Sequence, residues 1–330
     1  MLSKIKASGA NLFPGLAVSV TIGLAASFLG EHYGAPTMLF ALLLGMSLSF
    51  LHEDERTATG IEFAGCEVLR LGVALLGLRI AIGDVVAVGW TNLVLMAVGI
   101  VSTILFGMVL SRLLGMRSRF GALTGGAVAI CGASAALALS AVLPNDKYKE
   151  QNTIFAVIGV TSLSTLAMIV YPIISGSLGH SEEAAGLFLG GTIHDVAQVV
   201  GAGYSISETA GDQATLVKLI RVAFLVPVVF VFALAFRNNS SEAKGGLMLP
   251  WFLIAFALLV LLNSYVALPA GLKGFLIDAS RFMLVTAIAA IGLKSNLKKL
   301  VTVGLKPVVL MVTETIWLAV VILLGMEMVM

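Results

Sequence analysis

The sequence predicts an all-α polytopic membrane protein, with about 11 transmembrane helices, inverted repeats and at least one broken helix. Three observations carry that expectation. The 330 residues are 59% hydrophobic and only 12% charged, whereas soluble domains carry about 25% charged residues. Apolar runs long enough to cross a hydrocarbon core of about 30 Å recur from end to end. Those runs are continuous rather than alternating, which argues against an outer-membrane barrel. Connections between them are short, so a single transmembrane transporter domain spanning residues 1–330 is expected.

The spans follow in order. Leu12–Leu29 comes after Lys4 and Lys6; this opening mimics a signal peptide, but the later spans make it a first transmembrane helix. Ala35–Leu51 precedes the charged loop His52 to Arg56. Ile61–Ile80 holds Glu67 and Arg70 at i, i+3, read as a structural pair. Val85–Leu110 is apolar throughout, and Phe120–Leu143 is rich in Gly and Ala. Asn152–Ile174 carries Thr161, Ser162, Ser164 and Thr165, hydroxyls suited to bonding across helices. Ala184–Tyr204 and Ala214–Phe236 hold the densest intramembrane polar groups. Met248–Val266 follows the polar loop Asn238 to Gly246 and ends with Asn263 and Ser264. Asp278–Leu293 carries Arg281, three residues after Asp278, and Val301–Val329 carries Glu314 between Thr313 and Thr315.

With the N-terminus inside, most Lys and Arg fall in inner loops, as the positive-inside rule requires. The loop Gly176–Glu183 is the exception: it would be inside, yet it has no Lys or Arg. The C-terminus is then periplasmic. Cys66 and Cys131 both lie in apolar spans and form neither a disulfide framework nor a zinc site. No metal or cofactor is implied.

An internal repeat is visible at an offset of 215 residues. Gly72 to Gly89 aligns with Ala287 to Gly304; Ala74, Gly77, Leu78, Val86, Val88 and Gly89 meet identical residues, and Arg79 meets Lys294. The two copies would run in opposite directions, as in transporters with a midplane site; similarity between two Gly/Leu/Val-rich helices is the competing explanation. A fainter echo relates Gly125-Gly126 to Gly190-Gly191 and does not belong to the same duplication.

Candidate site residues come from the polar groups inside spans, where an ionisable side chain is costly and therefore a candidate for function. Gly125, Gly126 and Gly132 weaken the fifth span. Ile130-Cys131-Gly132-Ala133-Ser134 reads either as a helix break aiming backbone N–H groups at an anion or as a small-residue packing seam. His194 and Gln198 share a helix face at i, i+4, beside Asp195, and Gly190-Gly191 suggests a second break. His194 with Asp195 suits proton coupling; a hydrogen-bonded structural cluster is the alternative. Lys218 and Arg221 lie on one face and need anions near them, unless they snorkel to the interface.

Three of these segments, Ala129-Ile-Cys-Gly-Ala-Ser-Ala-Ala, Gly191-Thr-Ile-His-Asp-Val-Ala-Gln-Val-Val and Val217-Lys-Leu-Ile-Arg-Val-Ala-Phe-Leu-Val-Pro, together resemble the YeiH-type sulfate exporter family. Ala290-Ile-Gly-Leu-Lys fits it as well. The likeness covers nearly the whole chain, and the His-x-x-x-Gln stretch followed by Lys-x-x-Arg is its specific part. Family members often carry Glu where this chain has Asp195, and Asn or Pro where it has Ala133. The family is grouped with bile acid, arsenite and riboflavin-type transporters, whose broken helices cross near the substrate. The resemblance implies a bacterial inner-membrane secondary transporter.

The expected function is ion-coupled carriage of a small sulfate-, sulfite- or sulfonate-like anion. Cys131, Gly132, Ala133, Ser134, Gln198, Lys218 and Arg221 would bind substrate, and His194 and Asp195 would carry the coupling ion. Expected partners are the anion, a coupling proton or sodium ion, bilayer lipid and a second copy in a homodimer, with no nucleic acid. The main rival is a sodium or cation/proton antiporter using Asp195 and Glu314. A remote rival is an intramembrane hydrolase with Ser134 as nucleophile and His194 as base. A non-transporting scaffold or sensor would need a soluble surface to signal through.

Overall fold

The computed structural model describes residues 2–33, 36–144, 148–236, 251–266, 268–295 and 304–329. Among these every regular element is helical. The order begins α1 (Leu2–Tyr33), α2 (Thr37–Ser47), α3 (Glu55–Phe63), α4 (Leu69–Leu76), α5 (Ile82–Ala87), α6 (Gly89–Leu113), α7 (Ser118–Ala129) and α8 (Ala133–Val142). It continues with α9 (Lys149–Ser177), α10 (Glu182–Thr192), α11 (Val196–Ile206), α12 (Glu208–Ala223), α13 (Leu225–Ala235), α14 (Trp251–Tyr265), α15 (Ala270–Lys294) and α16 (Leu305–Val329). A π-helical turn, Ala64–Val68, joins α3 to α4.

Among the described residues, six helical stretches are long and apolar enough to cross a membrane: Asn11–Tyr33, Gly89–Leu113, Lys149–Ser177, Glu208–Ala235, Ala270–Lys294 and Leu305–Met328. They cover the predicted first, fourth, sixth, eighth, tenth and eleventh spans. The second, third, fifth and seventh predicted spans are built from shorter helices because the chain turns or breaks inside them, and the ninth holds, among the described residues, the single helix Trp251–Tyr265. The loop Asn238 to Gly246, the start of the ninth span at Met248, the start of the eleventh at Val301 and the repeat residues 296–303 lie outside the described residues. Where the two repeat copies can be compared their helix ends differ: α4 stops at Leu76 and a turn runs through Arg79, whereas α15 stays helical to Lys294.

The chain forms two compact units. The first comprises Met1–Ala87, Val200–Asp212 and Pro250–Asn296. Its helices approach backbone to backbone through glycine: a Cβ at Gly15 or Gly60 would strike the facing helix of the α1–α3 pair, and one at Gly45 or Gly292 that of the α2–α15 pair. Small residues allow this approach where helices gain little from excluding lipid. Polar groups finish the helix ends: Asn263 Nδ2 donates to the Ile80 carbonyl at 3.1 Å, and the Ile82 N–H donates to Ser264 Oγ at 2.8 Å. Arg70 pairs with Glu67, as its spacing predicts, and Arg281 reaches Glu208 at 3.3 Å.

The second unit comprises Val88–Val199, Gln213–Leu249 and Leu297–Met330. Here α6 and α7 cross at Gly107 and Gly121, and α16 packs beside both. A Cβ at Gly121 would overlap the Gly107 carbonyl and Ser111 Oγ. Because the first obstacle is backbone, Gly121→Ala must separate the helices, and a loss of about 1–3 kcal/mol is expected. Gly176→Ala, with nothing within 4 Å of its added carbon, is expected to be neutral or to gain up to about 1 kcal/mol. Thermal unfolding of the two variants in detergent checks the contrast.

Candidate functional site

The second unit contains two interrupted helices. Helix α7 stops at Ala129 and α8 starts at Ala133, with Gly132 between them at φ 66°, ψ −129°. That backbone conformation is open essentially to glycine alone. The Gly132 N–H closes the end of α7 by donating to the Ala127 carbonyl at 2.9 Å. At about 1.5 Å per residue, helices of 12 and 10 residues each fall short of a hydrocarbon core of about 30 Å, so the break lies at depth. The second interruption is at Ile193–Asp195, between α10 and α11.

The second break does not fall where the glycine pair suggests. Gly190 and Gly191 remain helical, and Gly190 instead leaves room for the Ala214 carbonyl and Val217 of α12. What restarts the chain is Asp195. Its Oδ1 accepts the Ala197 N–H at 2.9 Å and its carbonyl accepts the Val199 N–H at 3.0 Å, as an N-cap does. Its own N–H donates to Ser164 Oγ at 3.0 Å.

Lys218 and Arg221 are fully buried on α12 and join the two breaks. Lys218 Nζ donates to the Ile130 carbonyl at 2.6 Å and the Ile193 carbonyl at 2.9 Å. Arg221 Nε donates to Ala129 O at 3.1 Å; Nη1 donates to Gly190 O at 2.8 Å and Ile193 O at 3.1 Å; Nη2 donates to Val128 O at 3.3 Å and Ala129 O at 2.6 Å. A guanidinium has five N–H donors, and all are used. The carbonyls are those that a helix end leaves without intrahelical partners, and the cations sit at the negative ends of both helix dipoles. Neither side chain snorkels. Arg221 has no donor left for a substrate, whereas Lys218 keeps one N–H of its three.

His194 is buried between the same elements. Its Nδ1 lies 3.1 Å from the Val128 carbonyl, which can only accept, so Nδ1 carries a proton. Its Nε2 lies 3.1 Å from Thr315 Oγ1 of α16. Both ring nitrogens are therefore engaged away from Ser134, and the nucleophile–base pair of the hydrolase reading is not formed. Gln198 is buried against α9: Ser164 Oγ donates to its Oε1 at 3.2 Å, and its Nε2 reaches Thr165 Oγ1 at 3.5 Å. Cys131 is buried at the break. Ala133 is half-buried and Ser134 exposed at the first turn of α8. Gly132 brings no side chain to cap that turn.

The arrangement sorts the nine predicted residues. Cys131, Gly132, Ala133, Ser134, His194, Asp195, Lys218 and Arg221 gather at the two breaks, and Gln198 turns to α9. Two participants escaped the sequence: Thr315 and the carbonyls of Val128 through Ile130; Ser164, a hydroxyl expected to bond across helices, does so by accepting from Asp195. Flanking Glu314 was the one signal for Thr315. The first unit holds a second polar cluster that sequence reading left in a loop. Arg79 Nε donates to Asp212 Oδ2 at 3.1 Å and its Nη2 to Glu208 Oε2 at 2.9 Å, Tyr204 OH bonds Asp212, and Arg79 stacks over the Tyr204 ring. Arg79, Tyr204 and Glu208 line a cleft of about 360 Å³.

Comparison with known proteins returns one family. Residues 14–311 match the model described as "Conserved hypothetical protein 698". The UPF0324 membrane protein CT0845 of Chlorobaculum tepidum is 55% identical over 94% of this chain and 88% of its own length. The UPF0324 membrane protein TauZ of Paracoccus denitrificans is 51% identical over 96% of this chain and 95% of its own. The UPF0324 membrane protein RB0971 of Rhizobium meliloti is 50% identical over 95% and 92%. No solved structure matches.

Proposed function

The chain belongs to the conserved hypothetical protein 698 family, whose relatives are named UPF0324 membrane proteins, and from that premise we propose that it is a secondary transporter of a small sulfate-, sulfite- or sulfonate-like anion, coupled to an ion gradient across the bacterial inner membrane. The N-terminus would be cytoplasmic and the C-terminus periplasmic, as the distribution of Lys and Arg suggests. One observation carries the reading: α8 opens, with no side-chain cap from Gly132, at the meeting point of two interrupted helices, beside a buried lysine that has one N–H without a partner among the described residues. In a transporter, broken backbone at depth is tolerated where it lines a water-filled cavity. The N-terminus of a half-helix is also where such folds hold anionic substrate groups.

The roles differ from a uniform ring of substrate ligands. Backbone N–H groups of Ala133 and Ser134, the Ser134 hydroxyl and Lys218 are assigned to the anion. Arg221 holds the breaks in place, Asp195 caps α11, and Gln198 ties α11 to α9. A cation/proton antiporter is the second reading, favoured by the buried carboxyl of Glu314.

The test is uptake of [35S]sulfate into proteoliposomes. Saturable uptake by the wild-type protein is expected. Ser134→Leu, which crowds the first turn of α8 from an exposed position, is expected to lower uptake by about tenfold or more, or about 1.4 kcal/mol of binding, with its thermal midpoint unchanged. Equal uptake in the variant, or transport of 22Na+ with no anion moved, would remove the assignment.

A further inference from the structure

The coupling group named from sequence, His194 with Asp195, is occupied in holding the breaks. A different carboxyl is not. Glu314 lies near the middle of α16, fully buried. Its Oε1 accepts from Thr124 Oγ1 of α7 at 2.8 Å. Its Oε2 is buried and has no hydrogen-bond partner among the described residues. Gly107 of α6 lies directly under the carboxyl, and a Cβ there would overlap Oε1. No charged side chain among the described residues interacts with it. The facing groups are Gly107 from α6 and Thr124 from α7; from the α10–α11 break the titratable His194 meets α16 at the next residue, Thr315.

We propose that Glu314 is where this transporter takes up its coupling proton; the proposal rests on the transport reading above. A buried carboxylate oxygen without a donor is costly inside a bilayer. Adding a proton to Oε2 removes the charge, with the proton supplied by water at the membrane face and no other bond changed. Two contacts link the group to the substrate region. Thr124 stands on α7, whose terminal carbonyls Arg221 holds, and Thr315 bonds His194 in the second break. Gain or loss of the proton thus changes the hold of α16 on both interrupted segments.

Dicyclohexylcarbodiimide, which reacts with protonated carboxyls in apolar surroundings, tests occupancy on the wild-type protein in liposomes. Peptide mass spectrometry should find the adduct on Glu314, falling as pH is raised and absent in Glu314→Gln. In proteoliposomes, the ratio of [35S]sulfate uptake with and without an inward proton gradient should fall to unity in Glu314→Gln. The proposal is overturned by no adduct at any pH, by protection with sodium ions at fixed pH, or by a Glu314→Gln protein whose uptake still responds to the gradient. If the wild-type protein moves no sulfate, the transport reading fails on its own, while labelling still decides whether Glu314 holds a proton.

Discussion

Replacing Arg221 with leucine is expected to remove about 3–5 kcal/mol of stability, the magnitude typical of deleting one partner from a buried charged network. The loss has a specific origin. Five N–H donors disappear at once, and the carbonyls of Ala129 and Gly190 lose the donors that Arg221 supplies at 2.6–3.1 Å, while Val128 keeps His194. Each unsatisfied buried acceptor costs about 1–3 kcal/mol. Arg221→Lys keeps the charge but brings three donors to the four carbonyls that Arg221 bonds, so an intermediate loss is expected. Lys218→Met removes two bonds rather than five and should fall below Arg221→Leu. Thermal unfolding in detergent orders the series, with Arg70→Ala as control because Arg70 is partly exposed and paired with its own-helix neighbour Glu67. An Arg221→Leu protein that melts with the control would mean that the guanidinium does not hold the breaks.

The same residues show what can and cannot be read from a sequence of this kind. That Lys218 and Arg221 share a face and lie within the apolar span is legible from i, i+3 spacing alone. Their acceptors are not, because every residue has a carbonyl and nothing in its side chain marks it as a helix end. Charge therefore pointed to an anionic substrate, where the geometry places backbone oxygens first. The partners of Gln198 are hidden for a related reason: its spacing from His194 gives a shared face, but not which helix that face meets. Ser164 and Thr165, which do meet it, had been recognised as hydroxyls that bond across helices.

The two breaks differ in legibility for a physical reason. At Gly132 the residue and the conformation correspond, since a positive φ selects glycine. At Gly190-Gly191 the glycines serve close packing, and the helix continues because its neighbours fill the space on the outside. The restart depends on Asp195, an N-cap that resembles an ordinary charged residue when only composition is considered. Among the described residues, each Gly-Gly pair stands a few positions before its interruption. In the longer repeat at offset 215 the helix ends differ, at Leu76 and Lys294, and residues 296–303 of its second copy lie outside the described residues.

Gly132→Ala is expected to abolish sulfate uptake while lowering stability by only about 1–3 kcal/mol, the strain of holding an L-residue in that region. Space is not the obstacle. The nearest atoms to an added Cβ belong to His194, at 3.7–3.8 Å, so alanine and serine should have equal effects, and a graded dependence on side-chain size would point to packing instead. The chain can relieve the strain by continuing α7 into α8 as one helix. In that form the carbonyls of Val128 through Ile130 return to intrahelical N–H groups, and the first turn of α8 no longer presents open donors. Lys218 then keeps the Ile193 carbonyl and Arg221 keeps those of Gly190 and Ile193, and the freed carbonyls do not go unpaired, which is why stability falls less than in Arg221→Leu. The two variants thus separate the readouts: one removes the clamp and unfolds the region, the other removes the interruption and keeps the fold. Gly126→Ala, whose added carbon meets only the flexible Leu139 side chain, should retain uptake. If Gly132→Ala transports as well as Gly126→Ala, the interruption is not needed for transport, and the uncapped turn of α8 is not the anion site.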